Sequence, residues 1–299
     1  MNIVVSGATG YIGSNLVRKL SSLGHKICII SREDSKVEQF NDIKNQIKIY
    51  QFNGKTEELC NAFCELNPDI VIHLASLFVS EHDSSQIEDL INSNLRFSTQ
   101  LMEASIKSNV KYFINTGTQW QNYNSEKYNP VNLYAATKQA FDSICKYYLE
   151  ISDIKMLTIK LPDTYGVDDP RRKIINLLID AYKFCKTLDM SKGEQEIALL
   201  YIDDVINAFL IAIEKIQSNI CKKKTEFLAL PSEIYSLKDT VSIFEKITEC
   251  KLDINWGKRP YRKREMMNVY IGQENILEDV KTVSLQEGIK KILISIEDK

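Results

Sequence analysis

The sequence predicts an α/β protein: a doubly wound parallel sheet with a smaller, mostly C-terminal lobe. Three observations carry this reading. Strand-like and helix-like segments alternate through the first half of the 299 residues, the order that puts helices on both faces of a parallel sheet. A glycine-rich turn joins the first strand to the first helix, the context of a dinucleotide-binding fingerprint. The second half is less regular, but it has no low-complexity linker and the whole chain has only six prolines, so no detached domain is expected.

The elements follow in order. Residues 2–6 read as a short buried strand and 14–20 as a helix. Residues 26–30 and 47–50 are the second and third strands. Residues 56–67 have helical spacing, with Leu59, Ala62, Phe63 and Leu66 on one face. Residues 69–74 form the fourth strand, 87–108 a long amphipathic helix, 110–115 the fifth strand, 132–151 a second long helix and 155–161 a further strand. Right-handed crossovers make such a sheet doubly wound. Beyond it, 171–187, 202–216, 236–248 and 285–295 read as helices and 227–230 as a strand. The expected division is a sheet domain over residues 1–169 and 196–220, with a discontinuous lobe over 170–195 and 221–299.

Bulk properties exclude some classes. A net charge of −2 gives no broad attraction to nucleic acid or an anionic membrane. No apolar run reaches the roughly 20 residues of a membrane span. The seven cysteines (Cys28, Cys60, Cys64, Cys145, Cys185, Cys221 and Cys250) are odd in number and contain no C-x-x-C, which fits reduced thiols. The first strand starts at residue 2 and leaves no room for a signal peptide. A cytoplasmic protein without a metal is expected.

The turn Gly7-Ala8-Thr9-Gly10-Tyr11-Ile12-Gly13 is G-x-x-G-x-x-G. Gly7 allows the tight turn, Gly10 lets the backbone approach a pyrophosphate at the helix N-terminus, and Gly13 lets that helix pack on the strand. Later, Tyr134 and Lys138 form Y-x-x-x-K, which puts both side chains on one helical face. The pair suits a tyrosine general acid whose pKa is lowered by the ammonium; taken alone, it also suits an exposed helix pair. Thr118 follows the fifth strand, outside the carboxyl ends of the strands, where ligands of such sheets bind.

On these residues the chain resembles the extended short-chain dehydrogenase/reductases, of Rossmann fold, over essentially its whole length. Ile72-His73-Leu74-Ala75-Ser76, Asn94 and Tyr201-Ile202-Asp203-Asp204-Val205 match further motifs of that family. The resemblance implies a Thr118, Tyr134, Lys138 triad. Tyr134 would exchange a proton with a carbonyl or hydroxyl oxygen, Thr118 would hydrogen-bond that oxygen, and Lys138 would hold the nicotinamide ribose. It implies a cofactor site from Gly7, Thr9, Gly10, Tyr11, Ile12, Gly13, Ser31, Arg32, Asn53, Leu74, Ala75, Ser76, Asn94 and Leu161, with Tyr134 and Lys138. Ser31-Arg32 replaces the acid that NAD-preferring members carry, so NADP(H) is expected over NAD(H), unless Arg32 points to solvent.

Gln119-Trp120 stands where the family's 4,6-dehydratases place Asp-Glu, and Trp120 where its epimerase-reductases place a cysteine. Residues 74–79, 116–121, 129–134, 163–166 and 190–195 are similar to the CDP-abequose and CDP-paratose synthase group. That similarity implies NADPH-dependent reduction of the C4 ketone of a CDP-, dTDP- or GDP-linked deoxyhexose, for bacterial surface polysaccharide such as the O-antigen of lipopolysaccharide. The alternatives are a nucleotide-sugar 4-epimerase, an oxidoreductase of an activated heptose, or an NADP sensor without chemistry. Phe78, His82, Trp120, Gln121, Arg171 and Arg262 are the candidates for the substrate, with Arg262 matching the family's diphosphate arginine. Packing or solvent-facing roles stand as alternatives for His82, Trp120, Gln121 and Arg171. The Arg-Asp that many relatives carry is Ile197-Ala198 here. The two long helices are expected to pair in a homodimer.

Overall fold

The computed structural model describes residues 1–218 and 222–297. Cys221 and the expected boundary at residues 220 and 221 lie outside the described residues. The strands are β1 Asn2–Ser6, β2 Lys26–Ser31, β3 Ile47–Gln51, β4 Ile70–His73, β5 Tyr112–Thr118, β6 Lys155–Leu161, β7 Asp163–Tyr165, β8 Leu188–Met190, β9 Glu196–Ile197, β10 Leu199–Tyr201, β11 Lys224–Leu228, β12 Tyr235–Ser236 and β13 Ile254–Trp256. The helices are α1 Tyr11–Ser22, α2 Thr56–Leu66, α3 Ile87–Ile91, α4 Phe97–Lys107, α5 Leu133–Glu150, α6 Ile174–Phe184, α7 Ile202–Gln217, α8 Leu237–Thr248 and α9 Leu285–Glu297.

Seven strands form one parallel sheet in the order β11-β6-β5-β4-β1-β2-β3. Its central strands are continuous apolar runs because both faces are covered. Ile3, Val5, Ile29, Ile72, Ile114 and Leu157 face a core built with α1, α6, α7 and α8. Val4, Cys28, Val71, Phe113 and Met156 face a second core built with α2, α4 and α5. The order reverses between β1 and β4, and the crevice at that switch point is where ligands of open α/β sheets bind. No helix among the described residues is long and apolar enough to cross a membrane, and the six described cysteines are free.

Three expectations need correction. The strand expected at 227–230 is Lys224–Leu228, and it pairs with β6 inside the main sheet. The start of the segment assigned to the lobe from residue 221 therefore belongs to the sheet. The helix expected from residue 171 begins at Ile174, because Arg171 is drawn back onto Asp169 and Lys173 is extended; it ends at Phe184, with Cys185 in the left-handed region. The long helix expected over 87–108 is broken by a π-helical turn, Asn92–Arg96, between α3 and α4.

Candidate active site

The glycine turn is shaped by close contacts. Gly7 has φ +71°, and a Cβ there would lie 2.4 Å from the Ala75 nitrogen; one on Gly13 would lie 2.1 Å from the Gly7 oxygen. Side chains are excluded at both positions, so the turn seats against the loop after β4 and α1 seats against the turn. Gly10 is exposed and begins α1 without a side-chain cap. The first-turn N–H groups of α1 are thus left for an anion. Thr9 and Ile12 flank this cradle, half-buried. The Tyr11 ring turns inward, donating its hydroxyl to the Val167 carbonyl at 3.0 Å under the Arg171 guanidinium, so only its main chain remains for the cradle. A bare helix N-terminus and a turn closed to side chains fit a dinucleotide pyrophosphate.

At the next strand end Ser31 is buried, while the Arg32 side chain is 80% exposed and 3.4 Å from Asp34, so Arg32 points to solvent and the support for NADP(H) is reduced to the missing carboxylate at Ser31. Asn53, expected near the adenine, is committed locally. Its side-chain oxygen accepts from the Lys55 N–H at 3.1 Å and its nitrogen donates to Glu58. Asn53 is therefore a loop-shaping residue at the start of α2. Leu161 closes β6, buried opposite Thr118.

Thr118 is the last residue of β5 rather than a residue beyond it. Its Oγ1 accepts from the Trp120 N–H at 3.3 Å, which leaves its own proton to give. Tyr134 and Lys138 sit one turn apart on α5, whose N-cap is Asn132, accepting from the Ala135 N–H at 2.9 Å. Asn132 also donates to the Val79 and Ser80 carbonyls, tying the start of α5 to the loop after β4. Asn94, on the π-helical turn, does the same from below. It accepts from the Leu77 N–H at 2.6 Å and from Ser76 Oγ at 3.1 Å, and donates to the Leu77 carbonyl and to Thr137 Oγ1. Every polar atom of its amide is used within the protein, so Asn94 supports the cofactor-side loop of Leu74, Ala75 and Ser76 rather than touching a cofactor.

Burial dominates the electrostatics. It pushes the Tyr134 phenol up to about 12, against a hydrogen bond with Ser76. The expected lowering by Lys138 is not found: Asp163 adds to the rise, Ser76 alone opposes it, and the phenol keeps its proton at neutral pH. Burial also brings the Lys138 ammonium, 4% exposed, down to about 8, with Asp142 opposing. Both groups remain in their protonated forms at pH 7.

A cleft of about 90 Å³ opens beside Thr118, lined by Gln119, Trp120, Asp163, Gln195, Arg262 and Glu265, among others. The Phe78 ring lies 5.1 Å from that of Tyr134 and 5.5 Å from that of Trp120. Arg262 stacks 4.9 Å over Trp120, and Glu265 accepts from its Nε and Nη2 at 2.9 and 2.6 Å. The structure thus links Phe78, Trp120 and Arg262 in a run of ring contacts that begins at the tyrosine. The other three substrate candidates are placed differently. Gln121 is 0% exposed and wholly engaged by protein groups. Arg171 is held by both carboxylate oxygens of Asp169 and by Thr164. His82 is exposed and outside the cleft lining. Gln119, Asp163 and Glu265 line the cleft without having been singled out. For Asp163 the sequence signal is its place two residues beyond β6; in the structure it opens β7 and accepts from Lys173 at 2.5 Å.

Residues 3–224 match the NAD dependent epimerase/dehydratase family, and the chain belongs to it. It is an NAD(P)-dependent oxidoreductase. The chain is 30% identical over 268 residues to CDP-abequose synthase of Yersinia pseudotuberculosis, covering 89% of this chain and 91% of that protein. It is 26% identical over 294 residues to CDP-abequose synthase of Salmonella muenchen, covering 97% and 96%. UDP-glucose 4-epimerase of Thermotoga maritima, solved with UDP-glucose, shares the fold at TM-score 0.84 and 22% identity, covering 100% of this chain and 99% of that one. So does UDP-glucuronic acid 4-epimerase of Bacillus cereus, solved with UDP-glucuronic acid and NAD, with the same score, identity and coverage.

Proposed function

We propose that this enzyme uses NADPH to reduce the C4 ketone of a nucleotide-linked deoxyhexose, CDP-linked first among the candidates, in deoxysugar synthesis for bacterial surface polysaccharide. The observation that carries the reading is a protonated Tyr134 phenol whose ring is joined through Phe78 to Trp120, a wall of the cleft that also holds a guanidinium. A ketone reduction needs a proton donor there. The similarity to two CDP-abequose synthases over most of the chain supports the substrate class.

Tyr134 gives its proton to the carbonyl oxygen. Thr118, its Oγ1 already accepting from Trp120, donates to the same oxygen and stabilises the charge that develops on it. Lys138 holds the nicotinamide ribose and adds a positive field beside the phenol. Phe78 and Trp120 offer ring faces to the sugar. Arg262 pairs with the diphosphate. The nicotinamide, when bound, supplies the hydride. Gly7, Gly10 and Gly13 form the pyrophosphate seat, and Ser31 offers no carboxylate to repel a 2′-phosphate.

The test is NADPH consumption with CDP-, dTDP- and GDP-linked 4-keto-6-deoxyhexoses and the CDP-linked 3,6-dideoxy ketone, with NADH alongside. Turnover of one sugar, lost in Tyr134→Phe, supports the reading. Copurified, non-exchanging NAD⁺ with interconversion of 4-epimers would replace it. A homodimer belongs to the proposal: Ile87, Ile91, Tyr147 and Ile151 are exposed apolar residues on and beside the neighbouring helices α3 and α5.

A further inference from the structure

Behind Thr118 runs a line of buried polar side chains that the chemistry above does not use. Gln121 Oε1 accepts from the Thr118 N–H at 2.9 Å. Gln121 Nε2 donates to Asp142 Oδ2 at 3.0 Å and to Gln139 Oε1 at 3.2 Å. Asp142 is 4% exposed. Its Oδ1 faces Lys224 Nζ at 3.8 Å and has no hydrogen-bond partner among the described residues. Beyond it, Glu226 pairs with Lys224 at 3.0 Å and with Lys160 at 3.2 Å, and Lys160 donates to Asn122 Oδ1 at 3.0 Å.

A carboxylate in such a place is costly, and apolar replacements of buried ion pairs are often neutral or stabilising. Its chemistry at the Gln121 end gives it a task. A glutamine amide can flip end for end, presenting nitrogen or oxygen to either neighbour. Burial raises the Asp142 carboxyl and Lys224 opposes the rise; Asp142 Oδ2 accepts from Gln121 Nε2, with Gln139 Oε1 beside it, which holds the NH₂ toward α5 and the oxygen toward the Thr118 N–H. The fit is close: a Cβ on Gly117 would lie 2.8 Å from Gln121 Oε1 and 3.0 Å from Lys160 Cγ. Asp142 also lies four residues beyond Lys138 on α5, on the same face.

We infer that Asp142 is a positioning residue: through Gln121 it registers the end of β5, which carries Thr118, against the helix that carries Tyr134 and Lys138. The inference rests on the proposed roles of those three residues. The groups facing Asp142 are Lys138 and Cys145 on α5, Gln121 on the turn, Lys160 on β6, and Lys224 and Glu226 on β11.

The experiment compares Asp142→Ala, Asp142→Asn and Gln273→Leu in the full chain, by hydrogen exchange over residues 117–122, by thermal melting and by kcat and KM. Asp142→Ala is expected to speed exchange at residues 118–122 about tenfold. Its kcat should fall roughly 100-fold, the scale of a misplaced catalytic group, with KM little changed. Asp142→Asn keeps an acceptor for Gln121 and should recover most of kcat. Its alkaline limb should move to lower pH, because Lys138 loses a negative neighbour. Gln273→Leu removes only a distant bond to Glu226 and should lower the melting temperature without changing exchange at 118–122. If Asp142→Ala does not fold, Gln121→Met carries the same test. Unchanged exchange with kcat within about twofold in Asp142→Ala, or the same kcat loss in Gln273→Leu, overturns the inference. If the parent reduces no sugar ketone, the proposed function fails, and exchange over 117–122 still decides the positioning.

Discussion

Tyr134 and Lys138 illustrate what burial does to two neighbouring titratable groups of opposite kind. It favours the neutral form of each, raising the phenol to about 12 and lowering the amine to about 8. The rate of the proposed ketone reduction should therefore be level below pH 8 and fall above it as Lys138 loses its proton, read as kcat against pH. For stability, Lys138 titrates lower in the folded than in the unfolded chain. Its penalty is full below pH 8 and relieved as pH rises toward the unfolded value of 10.5. Lys138→Met should thus lose activity yet gain up to about 3 kcal/mol at neutral pH, read by denaturant unfolding at pH 7 and pH 10, with the gain shrinking at the higher pH. Tyr134→Phe should lower kcat roughly 10²- to 10⁴-fold, the range of general acid catalysis, with the melting temperature maintained. The placement of these residues was legible because strand, turn and helix spacing is rigid. The inward turn of Gln121 was not, since residue type says nothing of which partner a side chain finds. The same holds for Arg171, whose neighbour Asp169 takes its guanidinium.

At the scale of elements, the π-helical turn between α3 and α4 matters most. It presents Asn94 to both the loop after β4 and Thr137 of α5. Asn94→Ala should cost about 2 kcal/mol, from buried groups left unpaired, and weaken nicotinamide-cofactor binding measured by fluorescence titration, because Ala75 and Ser76 lose their support. Gly13→Val should abolish cofactor binding in the same titration, since even its first carbon meets the Gly7 carbonyl. The β-strands of the sheet's middle were readable as buried apolar runs. β11 starts earlier than the sequence predicts because Lys224, Thr225 and Glu226 look like loop residues; backbone pairing with β6 makes them strand, and Lys160 and Asp142 supply the charged partners of Glu226 and Lys224. The π-helical turn left no trace in the spacing of apolar residues, which continues through it.

For the whole molecule, the sheet order explains why distant segments meet. β1, β4 and β5 are neighbours, so the glycine turn, the Ala75 loop and Thr118 emerge side by side at one edge. The α/β class and the ligand edge followed from the alternation of elements. The division between sheet and lobe was less readable, because the chain crosses between them and β11 returns to the sheet after α7. The proposed dimer is a prediction at this scale: Tyr147→Glu combined with Ile151→Glu should shift sedimentation from dimer to monomer. A parent that sediments as a monomer would remove the helix pairing.

The pairing of Arg262 with Glu265 has a kinetic consequence. A guanidinium already stacked on Trp120 and held by a carboxylate surrenders little motion when a diphosphate arrives, where a free arginine would give up about 2 kcal/mol of side-chain entropy. The same carboxylate competes for the guanidinium afterwards. On the proposed diphosphate role of Arg262, Glu265 is a returning partner that is expected to shorten the residence of spent nucleotide sugar and to ready the cleft for the next turnover.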